Sequence, residues 1–262
     1  MVPGTKTRLD QRLVELELVV SRSQAESYIK LGEVTVNGKV VTKPGFLVQE
    51  SAQLHVTAAQ QYVSRAALKL ASVVSELQLD FTGKTVLDVG SSTGGFTDYV
   101  LRHGAAAVIA VEVGTDQLHP ILRGDSRISL HEKTDIRDVW LRGGAPVSVS
   151  PAVILDIPPD VVVADVSFIS LREILPVIAR LSSPRTEIIV MLKPQFEAGH
   201  SQVKHNGVIK NDRLRREILK DFETWARQYF VIRSKADSAV AGAKGNRERF
   251  YLLRKILPAR SA

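Results

Sequence analysis

With 262 residues, 44% of them hydrophobic and 24% charged, the chain has room for one large domain or for a medium and a small one, and its composition excludes a disordered, collagen-like or low-complexity polymer. It contains no cysteine, which excludes disulfides, thiolate metal sites and a cysteine nucleophile. The net charge of +7 points to a polyanionic partner, and the longest apolar run, Ala105 to Val111, falls far short of the ~20 residues of a membrane-spanning helix. The first ten residues lack the apolar core of a secretory signal, so a soluble cytoplasmic protein without stable membrane association is expected.

Residues 8–56 predict two short helices followed by short strands. Ser21 and Gln24 have the spacing of a capping box for a helix that runs to about Leu31, with Ala25, Tyr28 and Ile29 on its buried side and Gly32 as its C-cap. Val34-Thr-Val36 alternates as a strand, Asn37-Gly38 marks a hairpin turn, and Val40-Val41 begins the return. Arg8, Arg12, Arg22, Lys30 and Lys39 gather in this small unit. A serine-capped helix start beside an arginine suits a phosphate, because free amides and the helix dipole favour anions. The alternative is a small core with ordinary caps. Arg8-Leu-Asp-Gln-Arg-Leu, Ser21-Arg-Ser-Gln-Ala and Gly32-Glu-Val-Thr-Val-Asn-Gly38 together resemble the S4 RNA-binding domain. The resemblance implies a small α+β module over residues 1–58 and a linker over 59–64. Its RNA contacts would be Arg8, Arg12, Ser21, Arg22, Ser23, Gln24, Lys30 and Lys39, joined by Arg65 beyond the linker.

Residues 65–262 alternate strand and helix signals, the pattern of a doubly wound α/β sheet. Strands are expected at Thr85–Gly90, Ala106–Val113, Ile128–His131, Val161–Asp165, Ile188–Lys193, Phe230–Lys235 and Arg249–Arg254. Helices are expected at Ala66–Leu77, Thr97–Leu101, Leu171–Ala179 and Leu214–Arg227. Gly143 to Pro159 reads as a loop or insertion. The first strand runs into Asp88-Val-Gly90-Ser-Ser-Thr-Gly94-Gly95-Phe96, where glycines allow a tight turn and close approach of backbone to ligand. Glu112 ends the second strand, 22 residues beyond Gly90, where a carboxylate can accept from both hydroxyls of an adenosine ribose. The nicotinamide fingerprint fails, because its second glycine falls on Ser92.

This order of features resembles the S-adenosylmethionine-dependent methyltransferases. The resemblance implies that Asp88, Gly90, Ser92, Gly94, Gly95, Phe96 and Asp165 surround the methionine end of the cofactor, with Glu112 at the ribose and Asp135 at the adenine edge. The alternative for Asp135 is a helix N-cap. Three charged residues close or open apolar strands: Asp165, Lys193 and Glu248; Lys69 lies on the helix that enters the domain. In the order Lys69, Asp165, Lys193, Glu248 they resemble the Lys-Asp-Lys-Glu tetrad of FtsJ/RrmJ-type ribose 2′-O-methyltransferases. With the S4-like module in front, the whole chain resembles the haemolysin-type TlyA family of ribosomal RNA methyltransferases. That implies a seven-stranded Rossmann-like methyltransferase domain acting on a cytidine 2′-hydroxyl in ribosomal subunits. Lys193 would orient or deprotonate the hydroxyl with help from Asp165, while Lys69 and Glu248 hold the ribose. Nearby cations lower a lysine's pKa and nearby carboxylates raise it, so the resting charge of Lys193 stays open.

Glu197 to Asn211 follows the strand that bears Lys193 and reads as a lid, and its two histidines, His200 and His205, do not make a metal site. Residues 201–262 carry a net charge of +9, interleaved with Phe222, Trp225, Phe230, Phe250 and Tyr251, which predicts a folded segment with one basic face. Two other readings compete: a membrane-lytic haemolysin, which would need an amphipathic or long apolar segment, and a ribosomal-RNA-binding protein without catalysis.

Overall fold

The computed structural model describes residues 6–19, 22–57, 62–198, 207–242 and 245–256. Strand β1 (Lys6–Arg8) leads into α1 (Leu9–Glu15) and α2 (Arg22–Lys30), followed by β2 (Val34–Val36), β3 (Lys39–Val40), β4 (Leu47–Gln49) and β5 (Leu54–Val56). β1 pairs with β4, and β3-β2-β5 form a second antiparallel sheet. Asn37 and Gly38 carry φ of 50° and 78°, the left-handed pair that a tight two-residue hairpin needs. Ser21 and the side chain of Ser23 lie outside the described residues, and with them the expected capping box. The core of this unit comprises Leu9, Leu13, Ala25, Tyr28, Ile29 and Val34, and it takes in Leu68 and Val240 from the following domain.

The second unit begins before residue 65. The Val63 amide donates to Asp98 Oδ2 at 2.9 Å, and Ser64 caps α3 (Arg65–Leu77), so 62–64 are tied into the fold rather than forming a free spacer. There follow β6 (Thr85–Val89), α4 (Gly95–Arg102), β7 (Ala107–Val111), α5 (Pro120–Arg123), β8 (Ile128–His131), a 3-10 turn (Ile136–Asp138), β9 (Val139–Leu141), β10 (Val153–Leu155) and β11 (Val161–Ala164). Then come α6 (Leu171–Leu181), β12 (Glu187–Leu192), α7 (Pro194–Glu197), α8 (Asp212–Ala226), β13 (Phe230–Asp237) and β14 (Arg249–Lys255).

Seven strands form one sheet in the order β13-β14-β12-β11-β6-β7-β8, with only β14 antiparallel to its neighbours. The apolar runs explain the layering. Leu87, Val89, Val162 and Ala164 face α6 and α8, while the alternate residues Val86, Val161 and Val163 face α3 and α4. Successive strands wind outward to β7 and β8 on one side of β6, and to β11 and β12 on the other. That reversal opens a crevice at the carboxyl ends of β6 and β11.

The segment 143–159 is not simply a loop. Its end, β10, pairs parallel with β9 beside the main sheet, and Arg180 stacks over Trp140 at 3.4 Å while donating to the carbonyls of Arg137 and Val139. Strands of three residues carry too little periodicity to read from sequence, and these tertiary contacts fix them. Among the described residues no helix is long and apolar enough to cross a membrane, and no group of three or more acidic or histidine side chains could hold a metal ion.

Candidate active site

The crevice at the switch point is a cleft of about 420 Å³ whose lining includes Gly90, Ser92, Glu112, Asp135, Asp165 and Phe168. A smaller cavity of about 80 Å³ shares Gly90, Ser92 and Asp165 with it and reaches Asp88, Ser91 and Gly95. β6 and β11 come so close here that a Cβ on Gly90 would lie 3.1 Å from the Asp165 carbonyl oxygen. Glu112 fixes the turn: its Oε2 accepts from the Ser92 amide and its Oε1 from the Gly114 amide, both at 2.8 Å.

Three of the expected cofactor residues also make structural contacts of their own. Gly94 lines neither cavity; its φ is +88°, and a Cβ there would meet Leu122 and Leu118 side chains at 2.5 and 2.7 Å. Its role is to let α5 and its approach pack on the turn. Phe96 lines the small cavity, and its buried ring packs toward Phe250, with centroids 6.0 Å apart. Asp135 caps the 3-10 turn and receives Arg137 Nε and NH2 at 2.9 and 2.5 Å, which hold its carboxyl below the usual range. It lines the cleft, and like Glu112 it has both oxygens accepting from protein donors.

Polar atoms in the small cavity test whether a cofactor fits. Asp88 is 1% exposed, and its Oδ2 accepts from Thr97 Oγ1 at 2.7 Å. Its Oδ1 and the buried Ser91 Oγ have no partner among the described residues. Burial pushes the Asp88 carboxyl up to about 7 against the Thr97 bond, with Asp165 and Glu112 adding to the rise. Buried polar groups without a protein partner, in a small cavity that adjoins the larger cleft, suit the polar end of a ligand. The small cavity and the cleft join at Gly90, Ser92 and Asp165, and their polar linings fit a ligand with a charged end and an adenosine.

The tetrad residues converge as two ion pairs. Lys193 Nζ lies 2.6 Å from Asp165 Oδ1 and donates to Ser167 Oγ at 2.7 Å, while Lys69 Nζ lies 2.7 Å from Glu248 Oε2. Asp165 follows β11, Lys193 follows β12, Glu248 precedes β14, and Lys69 comes from α3, so four elements meet at one edge. Both lysines and Glu248 are buried. Burial raises the Glu248 carboxyl despite Lys69, and Asp165 adds to the rise while Lys193 opposes it. Sequence patterns gave no sign of Ser167 or of Phe168. The latter is 92% exposed at φ 66°, with its ring 5.3 Å from that of Phe196. Glu197 fastens the two loops, accepting from Ser170 Oγ and the Leu171 amide at 2.7 and 2.6 Å. Gly199, His200 and residues 201–206 of the expected lid lie outside the described residues.

On the N-terminal unit, the buried Asp10 gathers two guanidiniums. Arg8 binds it through Nε and NH2 at 3.0 and 2.9 Å, and Arg22 through Nε at 2.9 Å. Burial would raise the Asp10 carboxyl, but these bonds outweigh it and hold it low. Arg8 and Arg22 keep about half their side chains exposed, at 42% and 52%. Lys30 and Lys39 are exposed, and Arg12 pairs with Glu15. Two expected contacts sit elsewhere: Gln24 is interior at 7% exposure, and Arg65 donates to the Ala241 carbonyl at the junction of the two units. The basic face of 201–262 is partly neutralised, since Arg215 and Arg249 share Asp237.

Comparison with known proteins agrees with this architecture. The S4 domain family matches residues 7–54, and the FtsJ-like methyltransferase family matches residues 62–255. The chain is 36% identical to the 16S/23S rRNA (cytidine-2′-O)-methyltransferase TlyA of Mycobacterium tuberculosis, covering 95% of this chain and 90% of that one. It is also 36% identical to Hemolysin A of Brachyspira hyodysenteriae, covering 95% and 100%. A solved structure of a candidate hemolysin from Streptococcus thermophilus superposes with a TM-score of 0.65 at 33% identity, covering 95% of this chain and 88% of that one. With its sheet order, its switch-point cleft and these matches over nearly all its length, the chain belongs to the FtsJ-like methyltransferases and carries an S4 domain in front.

Proposed function

We propose that the chain transfers a methyl group from S-adenosylmethionine to the ribose 2′-hydroxyl of a cytidine in ribosomal RNA, working on ribosomal subunits in the cytoplasm. The observation that carries this reading is the pair of buried ion pairs, Lys193 with Asp165 and Lys69 with Glu248, at the edge of the cleft. The relatives named as rRNA (cytidine-2′-O)-methyltransferases support the choice of base and of RNA.

When bound, S-adenosylmethionine supplies an electrophilic methyl group. Asp88 and Ser91 would hold its polar amino-acid end, and Glu112 its ribose. A ribose hydroxyl is a weak acid, so the enzyme must fix its oxygen in line and remove its proton. Lys193 does both in this reading. Lys69 engages Glu248, which leaves Asp165 as the carboxylate in direct contact with Lys193 among the described residues. Phe168 presents an exposed aromatic face beside Asp165, suited to stacking the target base. The fork of Arg8 and Arg22 faces solvent on the S4 unit and suits RNA phosphates.

Single-turnover methyl transfer to purified ribosomal subunits tests the assignment. Lys193→Ala is expected to slow the reaction roughly 10²–10⁴-fold with cofactor affinity unchanged. Lys193→Arg is expected not to rescue, since a guanidinium stays protonated. Near-normal turnover in Lys193→Ala would remove the tetrad from the mechanism.

A further inference from the structure

We propose that Ser167 is a positioning residue that aims the reactive face of the Lys193 nitrogen at the substrate hydroxyl. The proposal rests on the reading of Lys193 given above. Lys193 Nζ has four tetrahedral positions, one of them taken by its own Cε. Ser167 Oγ, hydrogen-bonded at 2.7 Å, takes a second, while Asp165 Oδ1 lies 2.6 Å away as an ion partner outside hydrogen-bonding geometry. The Ser167 oxygen can be satisfied by one N–H whether the nitrogen is an ammonium or an amine. Cε and Ser167 together fix the directions of the two positions that remain; without Ser167 the head group could turn about its Cε–Nζ bond. In the amine form one of these two positions carries the lone pair, and the proton of the 2′-hydroxyl passes to Nζ along it.

The placement of Ser167 suits this task. It lines the cleft and is itself exposed, whereas the Lys193 side chain is buried beneath it. The residue that follows, Phe168, holds a left-handed backbone at φ 66°, unusual for an aromatic residue. Glu197 pins the far end of the same loop through Ser170 and Leu171. Among the described residues, the other charged groups around Lys193 are Asp165 after β11, Glu248 before β14, and Lys69 of α3, which is engaged with Glu248. Ser167 is thus the uncharged partner that orients the lysine without adding another carboxylate to favour its ammonium form.

The test compares full-length Ser167→Ala, Ser167→Thr and Lys193→Ala in single-turnover methyl transfer to ribosomal subunits from about pH 6 to about pH 9. Calorimetric binding of S-adenosylmethionine is the control. Because Ser167 is exposed, neither substitution strips the core. Ser167→Ala is expected to react about 10-fold more slowly, the worth of one hydrogen bond to a charged group, with cofactor and subunit affinities unchanged. The acid limb of its pH–rate profile should move to lower pH, because the ammonium has lost an acceptor. Ser167→Thr, which keeps the oxygen, should restore both rate and profile. A wild-type rate in Ser167→Ala, a loss with no movement of the acid limb, or a threonine variant as slow as the alanine variant would each overturn the proposal. An active Lys193→Ala would instead overturn the reading of Lys193 itself, whereas an inactive Lys193→Ala beside a normal Ser167→Ala condemns the serine alone.

Discussion

Asp88 lies at the end of a strand whose other residues are Thr85, Val86, Leu87 and Val89, so its carboxyl is surrounded by apolar neighbours and by two further carboxylates, Asp165 and Glu112. Its folded pKa of about 7 stands above the usual carboxyl value of 3.8. Between those two values the folded chain binds a proton that the unfolded chain has released. Stability contributed by this group is therefore complete below the lower value, falls as pH rises through the window and is level above about 7. The total is on the order of a few kcal/mol. Asp88→Asn removes the titration while leaving an oxygen for the Thr97 bond. Its thermal midpoint is expected to gain on the wild type as pH rises from about 5 to about 8, while its affinity for a cofactor with a cationic end falls. A constant difference in midpoint across that range would show that Asp88 does not titrate there. Asp88 could be picked out in the sequence through the glycine-rich turn it leads into, and Asp165, Lys193 and Glu248 because a charge that ends or starts an apolar strand lacks a packing reason to be there. Ser167 could not, because a loop serine is commonplace and its partner comes from a strand end 26 residues away.

The turn between β6 and α4 shows how one glycine can serve the fold while its neighbours serve the ligand. Gly94 initiates α4 with φ +88°, and the side chains of Leu118 and Leu122 close over the position a Cβ would take. A β-branched residue there meets both a disfavoured backbone and two leucines. Gly94→Val is expected to lower the thermal midpoint by several degrees and to weaken cofactor binding together with it, since the turn itself is displaced. Loss of binding at an unchanged midpoint would return Gly94 to direct ligand contact. The sequence distinguishes these roles poorly, because tight turns and ligand approach both call for glycine. The main strands were legible for a plain reason: Val161–Ala164 and Glu187–Leu192 are almost wholly apolar and buried on both faces. β9 and β10 were not, for their three-residue lengths and parallel pairing come from packing against α6 and the Arg180–Trp140 stack. Asp135 looked like an adenine contact or a cap, and the neighbouring Arg137 decides how its oxygens are spent.

The S4 unit and the methyltransferase unit share a core, since Leu68 of α3 and Val240 pack with Leu9, Leu13, Tyr28 and Ile29. Deleting residues 1–58 would leave those two side chains bare, so loss of activity in a truncated chain could not separate RNA anchoring from damage to the second unit. Charge substitutions on the outer face avoid this. Asp10 is buried and binds both Arg8 and Arg22, and Glu26 lies 4.0 Å from Arg22, yet both arginine side chains remain about half exposed. Gathering two cations on one carboxylate costs little where an anion will lie across them, and an RNA phosphate is such an anion. Arg8→Gln with Arg22→Gln, made in an Asp10→Asn background so that no buried carboxylate is left unpaired, should therefore weaken binding to ribosomal subunits and flatten its dependence on salt. Each phosphate contact contributes roughly 0.7–0.9 to the slope of log affinity against log salt, so the double variant should lose about 1 to 2 from that slope. Cofactor affinity should be unchanged, because the cleft lies at the carboxyl ends of β6 and β11 and includes neither arginine. The decisive measurement is subunit binding across a salt series, with cofactor titration on the same preparation. An unaltered slope would move the RNA anchor from this fork to the exposed cations of α8, Arg213, Arg216 and Lys220, and their neutralisation should then produce the missing loss.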